Sequence, residues 1–250
     1  LNNDLNFMKF NLIKKIKNKL VKIQNRKYQL TEKYDGHLKR LNFYKNKGIN
    51  FLKFLDIGAF EGNWSKMLKK IFPNANILMI EANLEKEQKL KNIGNYKICL
   101  LGSEDGKKVN YFKCQKHGKE TGNTVFKENS FLDFTYEERY TTKLDTLLLD
   151  NSSFDLIKMD IQGSELECIK GGQRIINNSK YLLLELQTAD YNLNAPFSSE
   201  VISYLKQINF ELMDIFELIY KDGYLVQVDF LFRQKNLVLE SNIFPLKEAF

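Results

Sequence analysis

Phe54-Leu55-Asp56-Ile57-Gly58-Ala59-Phe60-Glu61-Gly62-Asn63-Trp64-Ser65 is the stretch that decides how this chain folds. An apolar run (Phe51, Leu52, Phe54, Leu55, Ile57) passes through two glycines into a segment of helical character. A short apolar run bounded by glycine reads as a buried strand. Gly58 and Gly62 lack a Cβ, so they can adopt φ > 0 and let backbone come close to a ligand. The helix that follows offers unbonded N–H groups to an anionic group. The spacing is Asp-x-Gly-x-x-x-Gly, whereas dinucleotide-binding turns read Gly-x-Gly-x-x-Gly around a pyrophosphate. With no pyrophosphate to cradle, this turn suits a nucleoside that carries an amino acid. On its own, it is also compatible with the strand-turn-helix corner of any α/β protein.

Three further strand ends narrow the choice. Ile77-Leu78-Met79-Ile80-Glu81 is a second buried strand, closing on an acid about twenty residues after the glycine turn. A carboxylate there can accept from ribose hydroxyls, or lead as a solvated acid into a helix at Asn83, where Glu85 and Glu87 suit the N-terminal dipole. The ribose role is the one favoured. Phe154-Asp155-Leu156-Ile157-Lys158-Met159-Asp160-Ile161-Gln162-Gly163-Ser164-Glu165 repeats the strand-turn-helix pattern, and Tyr181-Leu182-Leu183-Leu184-Glu185-Leu186-Gln187 adds one more strand. Open α/β sheets bind ligands at the carboxyl ends of their strands. Asp56, Glu81, Asp160 and Glu185 gathered at one edge would cost free energy as core residues, so a functional edge is the better account.

Taken together, these segments resemble the FkbM family of S-adenosylmethionine-dependent methyltransferases. The resemblance rests on Asp56-Ile-Gly-Ala-Phe-Glu-Gly62, Glu81, Thr142-Lys-Leu-Asp145-Thr-Leu, and Lys158-Met-Asp-Ile-Gln-Gly-Ser-Glu165. Gly223-Tyr-Leu-Val-Gln-Val-Asp229-Phe-Leu-Phe232 looks like the family's closing hairpin. The resemblance covers residues 50–235, and the Lys-x-Asp-x-Gln-Gly-x-Glu element is its most specific part. It implies an α/β Rossmann-like fold: a seven-stranded, mostly parallel sheet, helices on both faces and an antiparallel C-terminal hairpin turning at Lys221-Asp222-Gly223. It also implies S-adenosylmethionine as cofactor and a hydroxyl oxygen of a sugar, glycan or similar small molecule as acceptor. The candidate cofactor-binding residues are Asp56, Gly58, Ala59, Phe60, Gly62, Asn63, Trp64, Glu81, Ala82, Ser103, Asp160 and Gln162.

Methyl transfer to a hydroxyl is an in-line displacement, in which alignment can supply on the order of 7–11 kcal/mol. A positioned base adds about 10²–10⁴-fold. Asp160 is the leading base, with Lys158 and Glu185 as catalytic partners. A free aspartate near pKa 3.9 is a weak base unless burial raises it, and a nearby cation opposes that rise. Strand alternation puts Lys158 and Asp160 on the same face. His37 and His117 are alternative bases by their natural pKa. Mg²⁺ is the other way to acidify a hydroxyl, and Asp160 with Glu185 would offer it hard oxygen ligands. No compact ligand cluster marks such a site, so no metal ligands are assigned. The region 113–143 interrupts the α/β alternation without clear periodicity, and segments of that kind carry function or mobility. It is read as an acceptor-side insertion, in which Phe126, Phe131, Phe134, Tyr136 and Tyr140 either stack on sugar rings or anchor the insertion to the core. His117, Asn123 and Thr124 are its candidate acceptor contacts, joined by Glu165, for which helix capping is the competing role.

The 250 residues, 43% hydrophobic, fit one large domain with an arm. Between Lys9 and Lys47 stand thirteen Lys/Arg against two acids, a balance of +11 that leaves −4 for the rest of a chain whose total is +7. The slightly acidic body argues against nucleic acid gripped across the whole face. The organisation expected is a basic helical arm at 1–48, the catalytic domain at 49–235 and a tail at 236–250. Leu12, Ile16, Leu20 and Ile23 give the arm an apolar stripe. That stripe could pack on the domain or a second subunit, lie on an anionic membrane surface, or contact RNA; packing is favoured because an isolated helix needs burial. Cys99, Cys114 and Cys168 are scattered, without metal spacing, and read as ordinary thiols. With no secretory pattern and no run of eighteen apolar residues, the expected location is cytoplasmic, with peripheral contact at the inner membrane face if the arm binds lipid. The rival functions are an RNA or protein methyltransferase using the arm, and a non-catalytic S-adenosylmethionine-binding protein. A nicotinamide oxidoreductase is disfavoured by the missing Gly-x-Gly.

Overall fold

The computed structural model describes residues 34–114, 123–130, 132–150 and 152–237, and from His37 onward they belong to one compact unit. In chain order the elements are α1 (Asp35–Asn46), β1 (Lys53–Ile57), α2 (Asn63–Ile71), β2 (Asn76–Glu81), α3 (Glu87–Lys91) and β3 (Asn95–Ile98). Next come β4 (Lys108–Cys114), β5 (Phe134–Tyr140), α4 (Leu144–Leu147), β6 (Leu156–Met159), α5 (Glu165–Gly171) and α6 (Gln173–Asn177). The chain closes with β7 (Tyr181–Gln187), α7 (Ser198–Gln207), β8 (Phe210–Lys221) and β9 (Tyr224–Gln234).

Seven strands form one sheet in the order β3-β2-β1-β6-β7-β9-β8. The first five in that order pair in parallel, while β9 runs antiparallel to both β7 and β8. Only β9 is reversed, so the mostly parallel sheet with a C-terminal hairpin is as expected. Asp222 (φ 51) and Gly223 (φ 86) turn that hairpin, as a two-residue type I′ connection requires. Connections leave β1 in one direction across the sheet and β6 in the other, which opens a crevice between those two strand ends. Right-handed crossovers put α2 and α3 on one face and α5, α6 and α7 on the other.

Parallel strands buried on both faces read as apolar runs. Leu55, Ile57, Ile157, Met159, Leu182 and Leu184 pack with Leu166, Ile169, Ile175, Val201 and Leu205 on the α5–α7 face. On the opposite face Phe54, Trp64, Leu68 and Phe72 are buried with Leu41 and Tyr44 of α1. His37, Leu41 and Tyr44 of α1 are buried, and from His37 onward the described residues share one compact unit with the sheet. The stripe at Leu12–Ile23, His117, Phe131 and the tail from 238 lie outside the described residues.

The insertion also differs from expectation. Residues read as irregular form an antiparallel ribbon of β4 and β5, which starts at Lys108, before position 113. Phe112 pairs again with Thr124 on the returning chain. Among the described residues no helix is long and apolar enough to cross a membrane.

Candidate active site

The glycine turn is built against protein on both sides. At Gly58 (φ 76) an added Cβ would lie 1.9 Å from the Asp160 carbonyl oxygen, and at Gly62 (φ 69) 2.3 Å from Ile93 Cδ1. The missing Cβ at these glycines thus serves close backbone packing and left-handed φ. The amides of Gly58 and Ala59 donate to the Ile80 carbonyl, and that of Gly62 to Ala59. Phe60, a non-glycine residue at φ 50, donates its N–H to Glu81 Oε2 at 2.7 Å, while Asn83 N–H donates to Oε1 at 2.7 Å. Glu81 thus ties the turn to the end of β2. Burial raises its pKa, and the amides of Asn83 and Phe60 partly offset that rise. Asn63 is exposed at the start of α2, and Trp64 behind it is buried.

The second turn follows β6. Asp56 and Lys158 are register partners in the β1–β6 pair. Asp56 is fully buried, accepts from Ser65 Oγ at 2.6 Å, and turns Oδ1 toward Lys158 Nζ at 3.7 Å. It sits inside the sheet face, as an anchor for α2, and not at the open edge. Burial raises its pKa, with Lys158 and the Ser65 hydroxyl acting against the rise. The same ammonium lies 3.1 Å from Asp160 Oδ2, so the expected coupling of Lys158 and Asp160 is present. The Asp160 side chain is 22% exposed against 5% for Lys158, which leaves the aspartate as the member that meets solvent. Asp160 follows the last β6–β7 pair, Met159 with Leu184, and next along β7 Glu185 opens a rung with Asp229 of β9 and Glu217 of β8 as successive register partners.

Gln162 ties Asp160 to the Glu185 end of that rung. Its Nε2 donates to Asp160 Oδ1 at 3.0 Å and to Glu185 Oε1 at 2.7 Å, and Gln227 Nε2 donates to the same Glu185 oxygen at 2.7 Å. Burial, then the charges of Asp160 and Asp229, push the Glu185 pKa well above the usual carboxylate range. Gln162 stands at φ 53; a left-handed non-glycine residue costs on the order of 1–3 kcal/mol and persists only where its surroundings hold it. Here Thr124 Oγ1 donates to the Gln162 carbonyl at 2.8 Å, and Glu165 accepts from the amides of Ile161 at 2.9 Å and Gly163 at 3.0 Å. Phe60 and Gln162 are the strained points of the two facing turns.

Several expected contacts are occupied within the protein. Thr124 is buried against the Gln162 turn, Asn123 Oδ1 accepts from the Cys114 amide, and Glu165 holds the turn by both oxygens. Ser103 Oγ donates to Glu167 of α5, and Ala82 gives its carbonyl to Arg139 Nη1 at 2.6 Å. His37, read as an alternative base, has both ring nitrogens engaged by Trp64 and Asp229. Arg139 itself escaped the sequence reading. From β5 it lies 4.8 Å over the buried ring of Tyr111 and so ties the ribbon to the end of β2. Lys86, buried over the Phe60 ring at 4.2 Å, was also missed. Both reach residues distant in sequence, and neither belongs to a local pattern.

The Methyltransferase FkbM domain profile matches residues 56–212, more than half of the chain. No curated protein matches the sequence. Among solved structures, methyltransferase FkbM from Methylobacillus flagellatus KT is similar at 18% identity and TM-score 0.46 over 72% of this chain. The match takes in 44% of that protein, so the chain spans less than half its length. An S-adenosylmethionine-dependent methyltransferase from Clostridium acetobutylicum ATCC 824 is similar at 11% identity and TM-score 0.48, over 87% of this chain and 98% of that one. The N-terminal domain of EvdMO1, solved with SAH bound, is similar at 14% identity and TM-score 0.44, over 83% of each chain. From β1 to the start of β8, across both turns and the carboxylates between them, the chain belongs to the FkbM methyltransferase family.

Proposed function

We propose that this protein moves a methyl group from S-adenosylmethionine to a hydroxyl oxygen of a sugar or glycan, with Asp160 taking the hydroxyl proton. The observation that carries the reading is the position of Asp160. Its backbone touches the glycine turn, with N–H to the Ile57 carbonyl at 3.1 Å, while its side chain is the exposed end of a buried Asp56–Lys158 pair. The donor set fits the cofactor. Glu81 has acceptor lone pairs left beyond its two amides, and the buried Asn83 Nδ2 on the same corner has no partner among the described residues. These two residues would hold the ribose end, and the 58–62 turn the amino-acid end. S-adenosylmethionine supplies an electrophilic methyl group when bound.

The chain's own residues supply the rest. Lys158 places its ammonium 3.1 Å from Asp160 Oδ2, a positive charge beside the proposed base. Gln162 fixes the aspartate's second oxygen and ties it to Glu185, whose pKa is raised by burial and by the charges of Asp160 and Asp229. That amide bridge occupies the pair that could otherwise take Mg²⁺. The ribbon, held by Arg139 and Thr124, walls the crevice on the acceptor side. The hydroxyl and the sugar are both what the family resemblance implies, and Asp160 is the base such an acceptor calls for.

The test is calorimetric titration with S-adenosylhomocysteine and, in parallel, NAD, followed by a turnover screen against glycans with the Asp160→Asn variant. Binding of the former alone, with turnover down about 10²–10⁴-fold and unchanged affinity in the variant, is expected. Full activity of Asp160→Asn would remove the base assignment; binding of NAD alone would remove the cofactor.

A further inference from the structure

We infer that His37 is a positioning residue of this site: it locks the indole of Trp64, at the start of α2, to the carboxylate of Asp229 on the acceptor rung. The inference rests on the reading that the 58–62 turn holds S-adenosylmethionine. Trp64 Nε1 lies 3.2 Å from His37 Nδ1, and His37 Nε2 lies 2.7 Å from Asp229 Oδ2. An indole N–H can only donate, so Nδ1 is the acceptor and the ring proton sits on Nε2, aimed at Asp229. All three side chains are buried, where hydrogen bonds are undiluted by water.

Each end of this bridge reaches the site. Trp64 follows Gly62 by two residues, and its ring lies 5.9 Å from Lys158 Nζ. Asp229 faces Glu185 in register and Glu217 on its other side. One imidazole from α1 therefore sets the distance between the cofactor helix and the carboxylate rung. His37 and Asp229 both lie outside residues 56–212, the span of the family match.

The same bond argues against a cation here. His37, Glu217 and Asp229 bring ligand atoms within 4.8 Å of one another. A metal-bound histidine donates its other ring N–H to a neighbour. Trp64 demands the reverse, since it occupies the Nδ1 lone pair and leaves the proton on Nε2.

Trp64 is the chain's single tryptophan, so its emission reports on the bridge. Full-length His37→Leu, Trp64→Phe, the double variant and His37→Asn would be titrated with S-adenosylhomocysteine, with circular dichroism as the folding check. His37→Leu removes both bonds of the bridge and should shift the Trp64 emission and weaken binding by at least the roughly 2- to 12-fold that one neutral hydrogen bond is worth. Trp64→Phe should weaken binding similarly, and the double variant no further. Asn, whose Oδ1 can accept from the indole, should restore emission and most of the affinity. Folded His37→Leu with wild-type emission, or with affinity within twofold of wild type, would overturn the inference, as would strictly additive losses. If His37→Leu fails to fold, Trp64→Phe against wild type decides the affinity effect. A wild-type chain that bound no S-adenosylhomocysteine would refute the proposed cofactor, and the emission of His37→Leu would still decide the bridge.

Discussion

Replacing Glu165 by Gln tests the turn that carries Asp160 and Gln162. Glu165 is 2% exposed, and its two oxygens accept from the amides of Ile161 and Gly163. Burial raises its pKa from 4.5 to about 7, with the charge of Asp160 adding to the rise and the turn amides opposing it. That displacement corresponds to about 3 kcal/mol at 1.36 kcal/mol per pH unit. Between the unfolded and folded values the folded chain keeps a proton that the unfolded chain has shed. Stability from this group is therefore complete below pH 4.5, falls as pH rises, and is gone above about 7. Gln cannot titrate, and its NH₂ faces one turn amide, a pH-independent cost of about 1–3 kcal/mol. Urea unfolding of both chains at pH 5 and pH 8 isolates the effect, because Asp56, Glu81 and Glu185 titrate alike in each. Wild type should be the more stable chain at pH 5, and its advantage should shrink or reverse by pH 8, a change of about 3 kcal/mol. A difference constant across this range would refute the assigned role of Glu165.

Other changes follow from the same contacts. Gly58→Ala places a Cβ 1.9 Å from the Asp160 carbonyl at φ 76, and should lower unfolding stability by more than the roughly 1 kcal/mol typical of a point change; a variant as stable as wild type would mean the two turns are not in contact. Glu81→Gln keeps one acceptor for the Phe60 and Asn83 amides and should weaken S-adenosylhomocysteine binding by about 1 kcal/mol, the margin between a charged and a neutral hydrogen bond. Unchanged affinity by calorimetry would take Glu81 out of the cofactor site. Asp145 accepts from the amides of Arg174 and Ile175 at the start of α6. Asp145→Ala should lose about 0.5–2 kcal/mol as a lost helix cap, read by urea unfolding with cofactor affinity unchanged; loss of affinity at full stability would show a different role.

Much of this architecture was legible because its signals are local. The apolar runs that became β1, β2, β6 and β7 each end at a glycine or an acid, and Lys221-Asp222-Gly223 carries the chemistry of a type I′ turn. The ribbon was not legible. β5, Phe-Thr-Tyr-Glu-Glu-Arg-Tyr, is almost wholly exposed, so no buried face imposes alternation on it. Within the site, the residues near the two turns could be found from spacing alone. What Asn123, Thr124 and Ser103 bond to depends on partners on other elements, and a polar side chain's type does not say whether it faces a ligand or a neighbouring turn. His37 carries least signal of all: its partners lie 27 and 192 residues away.

The placement of β9 between β7 and β8 has a consequence for the order of assembly. β8 is made first, yet within the sheet it pairs with β9 alone. It can join the sheet only once β9 has been made, either after that strand or together with it as a hairpin. A nascent chain that has emerged as far as β7 holds the strands of both turns, together with Asp56, Lys158 and Asp160. It has neither the Gln227 amide that bonds Glu185 nor the Asp229 carboxylate beside it. A chain halted before residue 227 thus already carries Glu185 and Glu217 but lacks Asp229, the carboxylate that stands between them, so the rung closes only when β9 docks.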